Sequence, residues 1–252
     1  MTSLTHISGY AHVAERYGFE EAVFLDAIMF WYRTNRGDDR NFRNGRWWTY
    51  KGTFDAAGYC GRIAGMLAGA PLEGSATGAE LPEVTDFTAA RDENAAIDGG
   101  ELILHNDGRR IRIARAVNSK TTIGPTEHSI LKKIKTLEAI DLIHYYAVTT
   151  AEDNYRGRCA NSYDNKMLLV GALDEYLDQL EKEGVLDKDS GGAEIDTEAT
   201  RAYLKQQGVN VSSLSDEEIR RHPTAAVVMI QLYGYLLDAM EDFRIGFTIT
   251  NT

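Results

Sequence analysis

The stretch CANSYDNKMLLV, residues 159–170, gathers Cys159, Asn161, Tyr163, Asp164, Asn165 and Lys166 within eight positions. A thiol, a carboxylate, two amides and an amine at that density have the makings of a catalytic cluster. A cysteine nucleophile, however, needs an adjacent base or positive field to form its thiolate, and no histidine neighbours Cys159 in the sequence. Helix capping offers a simpler account. Asn161 or Ser162 is placed to cap a helix starting near Tyr163, its side-chain oxygen accepting a backbone N–H. Asp164 then falls in the first turn, where the helix dipole favours negative charge. No catalytic residue is assigned here.

Other chemical signatures also fall short. Gly65-x-x-x-Gly69 is not followed by the Gly-Lys-Ser/Thr of a phosphate loop. Asp216, Glu217 and Glu218 read as the acidic start of a helix rather than a metal cage. Cys60 and Cys159 are too few and too far apart for a zinc site or disulfide scaffold, and the six histidines never fall at ligand spacing. No metal and no cofactor are expected. Lys132, Lys133 and Lys135 crowd one short segment. They read either as a solvated face or as a basic contact for an acidic partner surface.

The elements that must position these residues follow from periodicity. Residues 11–33 carry an apolar stripe at helical spacing through Val13, Tyr17, Phe24, Ile28 and Trp31. Asn44-Gly45, flanked by Phe42, Trp47, Trp48 and Tyr50, predicts a short hairpin. Residues 54–70 read as a glycine-rich helix ended by Pro71, with Gly58, Gly61, Gly65 and Gly69 allowing close packing. Residues 71–87 read as a loop. Leu102, Leu104, Ile111 and Ile113 alternate about Asn106-Asp107-Gly108, a hairpin pattern. A long helix is expected over 127–148, with Ile130, Ile134, Leu137, Ile140 and Leu142 inward, and a second over 163–183 closed by Gly184. A shorter helix is expected over 196–207, and Ser215 with Glu218 forms a capping-box pattern.

The C-terminal segment alternates without error. Phe243, Ile245, Phe247 and Ile249 point one way, and Arg244, Gly246, Thr248 and Thr250 the other. Such a strand can pair within its own domain or be given to a neighbour.

The composition, 43% hydrophobic and 26% charged over 252 residues, is that of a globular chain with room for one large domain or two small ones. A net charge of −11 argues against nucleic acid held by the bulk of the surface. The longest mainly apolar stretch, residues 225–237, is interrupted by Gln231 and Gly234 and is too short to span a bilayer. With no charged-then-apolar leader, the protein is expected to fold in cytosol, without membrane insertion.

From about Tyr59 to Thr250 the chain resembles the C-terminal half of contractile-tail sheath proteins of phages and phage-like tail particles. The resemblance rests on an ordered series: YCGRIAGMLAGAPLEGSAT, LPEVTDF, GELILHNDGRRIRIARAVNS, ILKKIKTLEAIDLI, EDNYRGRCANSYDNKMLL, LDEYLDQLEKEGVL, AEIDTEATRAYLKQQGV and LDAMEDFRIGFTI. It implies an α/β (α+β) fold in which helices flank a mixed sheet and the last strand, residues 243–250, is exchanged between subunits. It implies a structural, non-enzymatic role: self-assembly into stacked helical rings around a tail tube, contraction, and contacts with tube, baseplate and tail terminator proteins. The place is then a virion or phage-like tail particle assembled in the bacterial host cytoplasm. Lys132, Lys133 and Lys135 become candidates for the tube contact, and NSYDNK a family signature without chemistry.

Residues 1–56 depart from that pattern, and the expected boundary places a small N-terminal segment there and the sheath-like domain at 57–252. Residues 18–56 resemble the start of a phage replication-module winged helix, through GFEEAVFLDAIMFWYRTNR and NGRWWTYKGTFDA. That resemblance implies an alternative function as a DNA-binding replication accessory protein. A solvated basic hairpin around Arg33, Arg36, Arg40, Arg43 and Arg46 is the plainer reading of the same residues.

Overall fold

The structure, a computed structural model, describes residues 46–49, 52–125 and 127–249. The helix expected over 11–33, the Asn44-Gly45 turn and Thr250 lie outside the described residues. The chain divides into two compact units. The first holds the described residues up to Glu138 together with those from Asp238 onward; the second is Ala139–Leu237.

In the first unit, β1 (Arg46–Thr49) pairs antiparallel with β2 (Gly52–Asp55), from Arg46↔Asp55 to Thr49↔Gly52. Gly52, which opens β2, takes φ +139°, a value open to glycine and strained for other residues. The opposite edge of β1 pairs with β3 (Val84–Phe87), inside the stretch read as loop. Four residues without clear alternation are too short to announce a strand. This sheet, ordered β2-β1-β3, spans the expected boundary at residue 56.

Helix α1 (Ala56–Ala68) buries Ile63, Ala64 and Leu67. Gly65 faces open space, with nothing within 4 Å of the place a Cβ would take, so close packing is not its role. Helix α2 (Glu93–Asp98) starts at Asp92, whose carboxylate accepts the Ala95 N–H, and is followed by Gly100 at φ +76°. A Cβ at Gly100 would come within 2.9 Å of the Asn118 carbonyl oxygen, so only glycine fits.

The hairpin of β4 (Leu104–Asn106) and β5 (Ile111–Ile113) forms as expected, with Leu104 opposite Ile113. In its turn the Asp107 carboxylate accepts the N–H groups of Arg109 and Arg110, both at 2.8 Å. Those bonds hold its pKa below the ordinary value. Leu102, Leu104, Ile111 and Ile113 join Ile63, Leu67, Leu81 and Ile134 in one apolar core.

The single helix expected over 127–148 is two elements. A 3-10 turn (Ser129–Lys132) gives way at Lys133, whose backbone is extended, to α3 (Ile134–Asn154). The break is satisfied from outside the helix. The Asn118 N–H donates to the Lys132 carbonyl, its side-chain amide to that of Leu131, and the Ile134 N–H donates to Ala116. Only the Ile134 part of the expected inward face is buried. Ile140 and Leu142 are 39% and 41% exposed. In the second unit α3 instead packs Tyr146, Ala147 and Ala151 into the core. The helix is apolar on more than one side, and period alone does not choose between stripes.

The second unit is built on α4 (Tyr163–Lys182), which buries Leu169, Val170, Leu173, Leu177 and Leu180. Leu168, also at helical spacing, is exposed. Gly184 closes the helix at φ +72°. Strands β6 (Gly192–Ile195) and β7 (Ile230–Tyr233) pair antiparallel, with Ala193 and Ile195 packing on the α4 leucines. Between them lie α5 (Thr197–Gln206), capped by Asp196, and α6 (Asp216–Arg221), whose Ser215–Glu218 capping box is complete. Helices and strands are thus mixed along the chain, and the sheets among the described residues are small, separate and antiparallel.

Candidate functional site

Most polar groups of the cluster that opens α4 are partnered within the fold; the buried Asn161 Oδ1 has no hydrogen bond among the described residues. Ser162 is the N-cap, its Oγ accepting the Asn165 N–H at 3.2 Å, with Asp164 in the first turn. The Asn165 amide donates to the Ala160 carbonyl at 2.8 Å. Asn161 sends its amide to the carbonyls of Ala225 and Val227, at 2.8 and 3.1 Å, and to Thr224 Oγ1 at 3.2 Å. This pins a loop in which Ala225 sits at φ +50°. The Lys166 ammonium, in a side chain that is only 5% exposed as a residue, donates to the buried Thr224 hydroxyl at 3.0 Å. Burial lowers its pKa. The Tyr163 ring lies under the Arg221 guanidinium at 4.1 Å. Cys159 is exposed, and its thiol donates to the Tyr155 carbonyl at 3.6 Å. The arrangement is that of a polar brace between a helix start and a loop.

The C-terminal segment is the opposite. Phe243, Ile245, Phe247 and Ile249 are 70–90% exposed, and residues 243–249 pair with no strand among the described residues. Four large apolar side chains in regular alternation, uncovered, contrast with a buried core elsewhere. The root of this ribbon is held. Glu241 accepts hydrogen bonds from Ser75 Oγ at 2.8 Å, Arg115 at 3.0 Å and Lys133 Nζ at 3.1 Å. Lys133 also bonds Asp238 at 2.5 Å, and Arg115 pairs with Asp242. Burial raises the Glu241 pKa, but hydrogen bonds from Thr77, Ser75 and Lys133 and the Lys133 charge outweigh it, leaving the carboxyl below its ordinary 4.5.

The three lysines do not make one solvated basic face. Lys133 is committed to Asp238 and Glu241. Lys135 is buried and donates to the Glu73 carbonyl at 2.7 Å, and burial lowers its pKa. Lys132 is half-buried at the end of the 3-10 turn. Charge counting along the sequence missed this because the acidic partners lie more than one hundred residues away. Among the described residues no group of His, Cys, Asp and Glu is arranged to hold a metal ion. No helix among them is long and apolar enough to cross a membrane.

Comparison with known proteins bears on this ribbon-bearing fold. The chain is 34% identical over 189 residues to the tail sheath protein of Clostridium phage phiCD119, covering 74% of this chain and 53% of that protein. The chain is a relative of tail sheath proteins. It spans about half the length of the curated relative it matches. The sheath tail protein of Desulfitobacterium hafniense superposes with a TM-score of 0.55 at 17% identity, covering 78% of this chain and 54% of that one. A chain of the anti-feeding prophage helical sheath in its contracted state gives 0.54 at 13% identity, covering 78% and 51%. These two likenesses establish a tail sheath fold. No family model matches the chain. Against that fold, the NSYDNK cluster reads as a structural element of a sheath-type domain, and the exposed ribbon as its most conspicuous unsatisfied surface.

Proposed function

We propose that this chain is a structural, non-enzymatic subunit of a contractile tail sheath, which polymerises as stacked helical rings around a tail tube and contracts to drive the tube through a target envelope. The observation that carries the reading is the C-terminal ribbon. Among the described residues its main chain has no hydrogen-bond partner over 243–249, and one of its faces is wholly apolar and exposed. That is the form of a strand awaiting a sheet edge. The sheath fold and the relative's name set the context in which a second copy supplies that edge. Phe243, Arg244, Ile245, Gly246, Phe247, Thr248, Ile249 and Thr250 are the residues assigned to the exchange.

Joined in this way, subunits stay linked while rings slide and rotate as near-rigid bodies during contraction. Tube, baseplate and tail terminator proteins are the further partners, and a phage or phage-like tail particle, assembled in the host cytoplasm, is the place. Of the three lysines put forward for the tube contact, Lys132 is the one whose ammonium has no acceptor among the described residues, so the charge reversal that tests the contact is Lys132→Glu. Tube-dependent assembly unaltered by it would remove the contact. The domain division at residue 56 and the DNA-binding alternative rest on residues that lie mostly outside those described, and a gel-shift assay over a salt series tests that alternative. Negative-stain microscopy of the purified chain tests the main reading. Rings or tubes are expected, and discrete particles at high concentration would overturn it.

A further inference from the structure

The ribbon and its root obey different physics. Among the described residues, no main-chain hydrogen bond joins residues 238–249 to the rest of the first unit, and none of their apolar side chains is buried. Met240, between the anchoring acids, is 87% exposed. What holds the segment is side-chain charge: Asp238 on Lys133, Glu241 on Lys133 and Arg115, and Asp242 on Arg115, with Ser75 adding a neutral hydrogen bond. The acids fall at positions 238, 241 and 242, so Met240 is left outward while its neighbours bind. The Glu241 side chain is 9% exposed, the deepest of the three, and it alone touches both cations.

We propose that Arg115, Lys133 and Ser75 form a carboxylate-binding clasp whose ligand is the acidic segment Asp238–Asp242 of this same chain, and that clasp occupancy decides whether the ribbon 243–249 leaves the first unit from one fixed point or swings free. A strand rooted by an apolar plug or a ladder would be indifferent to salt. One rooted by partly exposed ion pairs, Glu241 the deepest and Asp238 and Asp242 nearer solvent, is weakened as the screening length falls from about 10 Å at 0.1 M salt to about 3 Å at 1 M.

Acid is a weaker lever at neutral pH. The charged groups around the clasp are Arg115, Lys133, Lys135, Asp238, Glu241, Asp242 and Glu73. Glu241 is held below 4.5, so its contribution is complete above that value and is lost as pH falls through the depressed one. For Lys133, burial lowers the pKa but bonds to Asp238 and Glu241 raise it above 10.5 on balance, so its contribution is lost only as pH rises through that higher value. Neutral pH lies inside this window, and salt is the variable to change.

The test is tryptic cleavage after Arg244, which requires the preceding residues, Glu241 and Asp242 included, to lie free and extended in the protease. Cleavage then follows the population of the open clasp. The full chain is used, at a concentration where light scattering shows no polymer, with a peptide of residues 236–249 as the reference for protease activity in salt. At low salt, Arg115→Gln/Lys133→Gln is expected to be cut about tenfold faster than the wild type, as a small ion-pair network allows. Raising salt to about 1 M should bring the wild type toward the variant's rate. Equal rates at low salt would overturn the clasp. If the double variant unfolds, seen as new cuts within α4, the wild-type salt series decides alone. Acceleration beyond the peptide reference supports the clasp, and its absence overturns it. Because cleavage is read on the dispersed chain, the two readings fail separately: discrete particles at high concentration would sink the sheath reading and leave a salt-sensitive clasp standing.

Discussion

Residues 159–166 carry a thiol, a carboxylate, two side-chain amides and an amine, and in the fold their polar groups cap, brace and bury. Residues 243–249 carry two phenylalanines and two isoleucines, and in the fold those side chains stand in solvent. Reactive-looking residues are spent on architecture, while the plain ones are left unpartnered. The difference teaches where the surface for the proposed assembly lies. A polar group that has found its partners inside the chain has nothing left to offer, whereas an uncovered apolar strand has an outstanding hydrophobic and hydrogen-bonding demand.

The sharpest way to break this comparison is to remove the ribbon. A chain ending at Asp242 keeps the acids of the clasp and loses the exposed ribbon. It is expected to form no polymer by negative stain while melting within a degree or two of the full chain, because no described ribbon residue is buried. Unchanged polymers would move assembly to another surface.

A matched pair of isoleucines comes next. Ile63 is fully buried in the first core and Ile245 is 90% exposed. Ile63→Ala is expected to cost about 2–5 kcal/mol in urea unfolding. Ile245→Ala should stay within about 0.5 kcal/mol, measured on dispersed chain. A large effect at Ile245 would mean that the ribbon is covered in solution.

The polar brace gives smaller effects. Asn161→Ala removes bonds to Ala225 and Val227, while Thr224 still serves the Val227 carbonyl, for an expected loss of about 1–1.5 kcal/mol. Ser162→Ala removes one cap and should cost about 1 kcal/mol. Were the cluster catalytic rather than structural, these substitutions would leave stability untouched.

The smallest effect is a pH slope. Burial lowers the Lys166 pKa from 10.5, so between the lowered value and 10.5 the unfolded chain binds more protons and stability rises with pH. In melts taken at increasing pH below 10.5, Lys166→Met should remove that rise relative to the wild type. An identical slope in both proteins would show that the amine is solvated.

Local rules carried far. The Ser215–Glu218 pair caps as its types and spacing foretold, and of Asn161 and Ser162 it is Ser162 that caps α4, because a cap depends on residues three apart; Asp196, read as the first residue of its helix, is the cap instead. The Leu104–Ile113 hairpin follows from alternation around one turn. The failures are equally physical. Lys133 interrupts a helix-like pattern because Asn118 and Ala116 take the backbone groups of its neighbours Leu131, Lys132 and Ile134. Ile140 and Leu142 fall outside because the helix offers two apolar stripes. Strand β3 went unseen because its pairing with β1 is non-local.

By itself, the order of residues determined the Ser215–Glu218 capping box, the hairpin turn, the extent of α4 and the alternation of residues 243–249, all governed by neighbours a few positions away. Only the tertiary structure decided that Lys133 meets Asp238 and Glu241, that Asn161 and Lys166 meet Thr224, and that the ribbon stays uncovered. Those outcomes join residues far apart in the chain, and long-range pairing depends on which surfaces the packed elements leave available.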